Sequence, residues 1–499
     1  MNSRRHTSAE EGSGLLIAVV TIAVLALLIS AYFGALIPKY RSVHQAASWH
    51  EAHESALAGA NYAMRALNEY AKLPMSPDSY NWTTDFAGNT WAVTTADAEH
   101  TLAAASLPKL GGRNHSAVTS LTLDVYTRHP SSGQPWFRIR STARADLPGK
   151  TISADRRDSD LRRMNLTGKN SGAPDPHVSR VVEVITRPKF RFARAITMVE
   201  SISLGSSSGW LVDSYDSSDT SKSDIGTSAG GVYPSSAAKQ QANGGIAVAQ
   251  QLPPNTYDSV IDGQGATVRG DVKTAGGDNP ATSTHENVTG SGGMDQARIY
   301  DDFSDDLSAV PTPIWSSGVL PNPSGLTNFT TSTNRAAPAR YVINGNVGGF
   351  AVLAPASGTG FIELMVNGKL GGGDITIPPS VSATIYVSGD VDFGNSSINA
   401  NSSSSQVASR LLVYGLSTAS TASYSASGSG KQILAFYGPA YAIHFSGNVD
   451  TYGAVIGKNF SVSGGGNGGL HFDEALLQTG PVTAWEVAGY FEDARTDVR

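Results

Sequence analysis

The chain reads as a mainly β protein mounted on a long N-terminal transmembrane helix, with a small α+β unit followed by a parallel β-helix. Three observations carry that reading. Residues 15–37 hold no charged side chain over 23 positions, and a helical pattern continues beyond them. After about residue 196, a short apolar triplet ending at glycine recurs many times.

The uncharged run comes first. At about 1.5 Å per residue it reaches roughly 35 Å, enough to cross a hydrocarbon core of about 30 Å. A cleaved signal peptide needs only about 7–15 apolar residues, so the run reads as a membrane segment. From Lys39 the pattern turns amphipathic: Ala46, Trp49, His53, Ala56, Ala60, Ala63, Leu67 and Tyr70 alternate at spacings of three and four. Half of that stripe is alanine, and Ala58, Gly59 and Ala66 widen the small-residue surface. Residues 13–75 are therefore expected as one helix, half in lipid and half outside, whose outer half lets a partner approach closely. Charge does not fix its direction, since Arg4 and Arg5 stand beside Glu10 and Glu11 while Lys39 and Arg41 follow the run.

Residues 76–195 read as a small β-rich unit. Strands are expected at Leu121–Tyr126, Trp136–Arg140 and Val181–Ile185, where apolar and polar residues alternate. The turn-rich stretch from Asp146 to Pro176 reads as an exposed loop. Residues 136–195 carry fourteen Arg and Lys against six acids, in a chain whose net charge is −6. Such a block can face anionic lipid, DNA or an acidic partner. The reading adopted is a solvated strand face that meets the acidic domain beside it, and nucleic acid is not expected as a partner.

Residues 196–475 carry the repeat. It runs through Ala266–Val272, Tyr341–Val347, Leu364–Leu370, Ile385–Val391, Ile443–Val449 and Phe460–Gly464. A unit this short cannot bury its apolar side alone, so neighbours must stack. Each triplet is expected as a strand and each Gly as a corner with positive φ, with Asn or Asp suited to the same corner. A β-sandwich is the competing fold. Residues 476–499, including Trp485, are expected to cap the last coil.

Cysteine is absent, which excludes disulfides, thiolate metal sites and cysteine nucleophiles. Other motifs fail on context. Gly464-x-Gly466-x-x-Gly469 has no βαβ surroundings, and Ser427–Lys431 lacks the first Gly and the Ser/Thr of a phosphate loop. His50-Glu51-Ala52-His53-Glu54 puts Glu where a zinc helix needs its second His. The carboxylate pairs Asp301-Asp302, Asp305-Asp306 and Asp390 with Asp392 are the candidates for acid/base work on polysaccharide. They stand without further catalytic motifs, and no enzyme is expected. No cofactor is expected either, although corner oxygens of Asp213 and Asp216, or of Asp390 and Asp392, are candidates for structural calcium.

A basic leader (Arg4, Arg5), Gly12, Ser13 with Leu15-Leu16, and the extension Ala56-Leu57-Ala58-Gly59-Ala60 together resemble the N-terminus of type IV pilin-like proteins, in particular PilX-type minor pilins. The segments Tyr452–Lys458, 464–469 and Leu470–Leu476, with Asp213–Ser217 upstream, resemble an uncharacterised repeat domain that follows such N-termini in bacterial envelope proteins. The first resemblance implies a leader of residues 1–12, cut by a prepilin peptidase between Gly12 and Ser13, and a helix that packs on other pilin-like subunits. It implies a single-pass inner-membrane protein with a cytoplasmic N-terminus and its remaining domains periplasmic or on the cell surface. Major pilins carry Glu at the fifth mature position, where it meets a neighbour's terminal amine. Here Ile17 falls there, or Val19 if cleavage follows Gly14, which is similar to subunits placed at a filament tip. The function expected is a non-catalytic filament or membrane subunit displaying a β-helix for assembly, adhesion or presentation, with no surface ligand identified. Its alternatives are a membrane-tethered polysaccharide enzyme and a type II secretion minor pseudopilin.

Overall fold

A computed structural model describes residues 9–71, 84–93, 99–103, 107, 116–128, 135–146, 177–204, 209–225, 232–250, 260–263, 265–276, 287–290, 293–294, 296–315, 318–335, 337–400, 407–464, 468–479 and 482–492. The expected loop at 147–176 lies outside them.

One helix runs from Ala9 to Ala71, through Pro38. Along its first half Leu16, Ile17, Val20, Leu27, Phe33, Tyr40 and Val43 are all exposed. It is the one helix among the described residues long and apolar enough to cross a membrane. Its second half packs on an antiparallel sheet through Ser48, Ala52, Ser55, Ala56, Ala60, Ala63, Ala66 and Leu67, all buried. The lower part of the expected stripe holds, while its upper part is turned: Ala46 and Trp49 are exposed, and Ser48 and Ala52 carry the contact instead. Serine and alanine serve there because the sheet lies close. A Cβ on Gly59 would stand 3.1 Å from Val118 Cγ2 and closer still to Ser141 Oγ.

The sheet under the helix has six strands. Five come in chain order: Trp91–Val93, His100–Leu102, Ala117–Arg128, Pro135–Asp146 and His177–Phe190. Pro135–Asp146 shows strict alternation of buried and half-buried residues, as its sequence pattern predicts. The sixth corrects an expectation. Residues Val482–Glu492 do not cap the last coil but pair antiparallel with His177–Phe190, from Val482 opposite Phe190 to Glu492 opposite Val182. Trp485 is buried against Phe137, with ring centroids 5.4 Å apart, and its backbone N–H donates to Asn68 Oδ1 at 2.7 Å. An indole has far more apolar area to bury under the helix than at an exposed coil end. Everything between Phe190 and Val482 is thus inserted between two paired neighbours of one sheet.

The insertion forms a sheet of 21 strands in which the long ladders are parallel. The longest ladder runs Ile299–Tyr300, Val272–Thr274, Ile246–Val248, Ile196–Ser203, Asp450–Ser463, Lys431–Tyr437, Leu411–Gly415, Val381–Val387, Gly360–Asn367, Ala339–Asn344 and Val319–Leu320. The order is not the order of the chain. The strand Ile196–Ser203 starts in the middle, the chain builds outward to Tyr300, crosses to the far end, and builds back until Asp450–Ser463 and Gly469–Asp473 close on Ile196–Ser203 and Leu211–Tyr215. That closure is called the seam below. The crossing, residues 301–315 and onward to Val319, is called the strap.

The repeat glycines answer to two different constraints. Gly447 and Gly464 have the expected positive φ. Gly368 does not, and it is small for another reason: a Cβ there would lie 2.4 Å from the carbonyl oxygen of Gly345, beyond the neighbouring strand of the ladder. The corner Asn and Asp residues reach across the ladder too. Asn346, Asp374, Asp390 and Asn395 accept the backbone N–H of Lys369, Ser397, Ser423 and Ser429 at 2.7–2.9 Å.

Candidate functional site

Two regions combine unusual chemistry with a place in the fold that requires it. The first is the N-terminal helix. Gly12 and Ser13 lie within its backbone span, and Ile17 is exposed, its carbonyl accepting the Thr21 hydroxyl at 2.8 Å. Where the helix meets the sheet it is pinned from the side: Asp85 accepts Tyr62 Oη at 2.5 Å and Trp91 Nε1 at 3.0 Å. Burial together with the Asp85 carboxylate pushes the Tyr62 phenol up to about 12. In the stretch His50–Glu54, which the sequence already sets apart from a zinc helix, His53 Nε2 faces Glu492 at 3.8 Å.

The second is the seam. Among the described residues, the buried acids and buried histidine of the parallel ladder are Asp213, Asp216, Asp224, His471, Asp473 and Glu474. All belong to the seam or to the loop after Tyr215. Register sets His471 opposite Asp213 and Asp473 opposite Tyr215. Asp213 accepts His471 Nδ1 at 2.5 Å and Tyr233 Oη at 2.6 Å, with Arg269 Nη1 at 4.0 Å. The other ring nitrogen of His471 faces Asp450 at 3.9 Å. Burial works against the imidazolium, but the two carboxylates outweigh it and hold His471 above its ordinary range. Asp473 accepts Ser217 N, Ser217 Oγ, Ala475 N and Ala408 N at 2.8–3.2 Å. Burial nevertheless pushes its carboxyl up to about 6. Glu474 accepts Ser214 Oγ and Asn243 Nδ2.

The four calcium candidates are not gathered into one site. Asp213 lies inside the seam, while Asp216 accepts its own loop's Ser218 N and Oγ at 2.9 and 2.5 Å. Asp390 holds Ser423 N, and Asp392 takes Lys369 Nζ and Ser425 Oγ, both at 2.8 Å. Among the described residues, no group of three or more His, Asp or Glu is arranged to hold a metal ion. Of the other acid pairs, Asp302 meets Lys273 at 2.9 Å and Asp305 meets Lys189 and Arg194 at 2.6 and 2.8 Å.

Among the described residues, several cations of the basic block meet carboxylates. Arg138 pairs with Asp124, Arg140 with Glu183, Arg187 with Glu486, and both Lys189 and Arg194 with Asp305. Two of those acids, Asp305 and Glu486, come from beyond residue 196, where the acidic excess was expected. Sequence reasoning singled out neither His471 nor Asp473, whose partners Asp213 and Ser217 stand 258 and 256 positions away. The one visible signal was the polar run His471, Asp473, Glu474 interrupting an apolar strand.

A model of a domain of unknown function, DUF7305, matches residues 357–479, which hold the strands from Gly360–Asn367 to Gly469–Asp473. No curated protein matches the chain. Among solved structures, the competence-associated pilin ComZ from Thermus thermophilus is similar at 12% identity, over 89% of this chain and 98% of that one, with a TM-score of 0.22.

Proposed function

We propose that this chain is a pilin-like membrane subunit: its helix seats it in the membrane among other subunits of the kind, and its parallel ladder, wound as a β-helix, is what it displays. The observation that carries the reading is the division of one 63-residue helix into two halves. The first half leaves its apolar side chains bare from Leu16 to Val43, and the second lays alanine and serine on a sheet. Bare apolar surface of that extent needs lipid or other helices around it. The resemblance at Gly12 and Ser13 adds processing by a prepilin peptidase, an N-terminus held in the cytoplasm, and display on the outer side.

The role is assembly and presentation without catalysis. With Ile17 at the fifth mature position, the subunit offers no carboxylate to a terminal amine ahead of it. An unpaired amine in hydrocarbon is costly, so the subunit belongs at the end of a filament. Asp390 and Asp392 act in this reading as ties between coils, Asp390 through Ser423 and Asp392 through Lys369 and Ser425.

The test is the mature N-terminus. Mass spectrometry of membrane-extracted protein, from a host with an active prepilin peptidase, is expected to show Ser13 first, and Gly12→Val is expected to block the cut. An intact Met1 in that host overturns the processing and, with it, the pilin-like assembly.

A further inference from the structure

The strap lies on the ladder in an unusual way. Between Tyr300 and Val319 the chain must pass ten ladder steps of about 4.8 Å, roughly 48 Å, and its nineteen residue steps can extend to about 63 Å. Residues 301–315 have no regular structure, and among the described residues 304–315 make no backbone–backbone hydrogen bond. The strands beneath pair fully with each other, so the strap completes no ladder.

What lies under it is a column that breaks the alternation of the sheet. Val342, Met365, Tyr386, Tyr414 and Tyr437 are successive register partners. They stand on the side of the strands opposite the interior, yet Met365, Tyr386, Tyr414 and Tyr437 are all buried. Tyr386 and Tyr414 stack with centroids 5.4 Å apart, and Tyr414 and Tyr437 follow at 6.2 Å. Tyr437 Oη donates to the Ser308 carbonyl at 2.5 Å. Leu307, Val310 and Trp315 pack inward; Trp315 meets Tyr386 edge-on at 6.2 Å, and Arg340 Cζ lies 5.8 Å from the centroid of the same indole. Asp305, at the near end, is gripped by Lys189 and Arg194. Val310-Pro311-Thr312-Pro313 lies between these anchors, and prolines favour an extended backbone that carries little entropy to lose on docking.

We propose that this tyrosine column is a peptide-binding groove and that the strap is its resident ligand. The chemistry of the resident defines the class of partner: an extended, proline-containing apolar segment with an acidic residue at the end that meets Lys189 and Arg194. The slack in the strap lets its centre bow outward by about 20 Å, from a contour of about 63 Å over a span of about 48 Å. That clears the groove without unstacking a strand. In the free protein the strap wins by its high effective concentration.

The experiment uses the full chain in detergent and a fluorescent peptide of residues 303–316. Wild type is expected to bind it weakly. Val310→Ser with Trp315→Ser, which loosens the strap, is expected to bind at least tenfold more tightly, and adding Tyr414→Ala is expected to return binding to the wild-type level. Failure of the loosened protein to bind while its melting curve stays native overturns the proposal, as does binding that ignores Tyr414→Ala. Collapse of the ladder on loosening the strap overturns it too, because a ligand is dispensable to the strands it covers.

Discussion

Asp473 offers the sharpest test of how the seam is held. Its enclosed carboxylate takes three backbone N–H groups and one hydroxyl, from segments around residues 217, 408 and 475. Asp473→Ala leaves those three amides without an acceptor, at about 1–3 kcal/mol each. Local opening of the seam is therefore expected to become easier by roughly 3–9 kcal/mol. The proton adds a signature of its own. The folded chain raises this carboxyl from 3.8 to about 6, so it binds the proton more tightly than the unfolded chain does. The group's stabilising share is complete below about pH 3.8 and is lost as pH rises through about 6, a span worth about 3 kcal/mol. His471 contributes in the same direction but over a higher window, since its folded value lies above the ordinary 6.5. Between pH 4 and 6 the slope thus belongs to Asp473. Hydrogen exchange of Leu211–Tyr215 and Gly469–Asp473, corrected for intrinsic rates, reads the opening free energy in the full chain. Wild type is expected to lose about 2 kcal/mol across that window and Asp473→Asn less than about 1 kcal/mol, since an amide does not titrate. An unchanged slope in Asp473→Asn refutes the reasoning.

Two further outcomes follow from the helix. Gly59→Leu is expected to destabilise the helix-bearing sheet by about 1–3 kcal/mol through overpacking against Val118 and Ser141; an unchanged thermal melt would show that the helix does not lie this close. Ile17→Glu is expected to move the protein from filament ends to positions along the shaft in immunogold images. Wild-type label spread evenly along filaments would remove the argument for the tip.

Much of this was legible residue by residue. The uncharged run, the alanine stripe from Ala56 to Leu67 and the three expected strands of the small unit all stand where the pattern put them. The repeat glycines all fall on the parallel ladders or their corners. What escaped was long-range pairing. A triplet such as Ile385-Tyr386-Val387 announces a strand buried on both faces, but nothing local says that residues near 310 cover it. The alternation in Val482–Glu492 is compatible with a cap or with a sheet edge, and only the burial of Trp485 beside Phe137 decides between them. Likewise, Asp213 reads as a corner carboxylate until a histidine 258 positions on is found beside it.

The stacking order has a consequence for how the molecule comes into being. A chain delivered from its N-terminus presents Ile196–Ser203 and His177–Phe190 early, each with one hydrogen-bonding edge open. Both edges wait for the end of the chain: Asp450–Ser463 covers the first and Val482–Glu492 the second. Open edges invite wrong partners and proteases. A product that stops before Asp450 therefore keeps both templates exposed, while one that runs through Glu492 seals both.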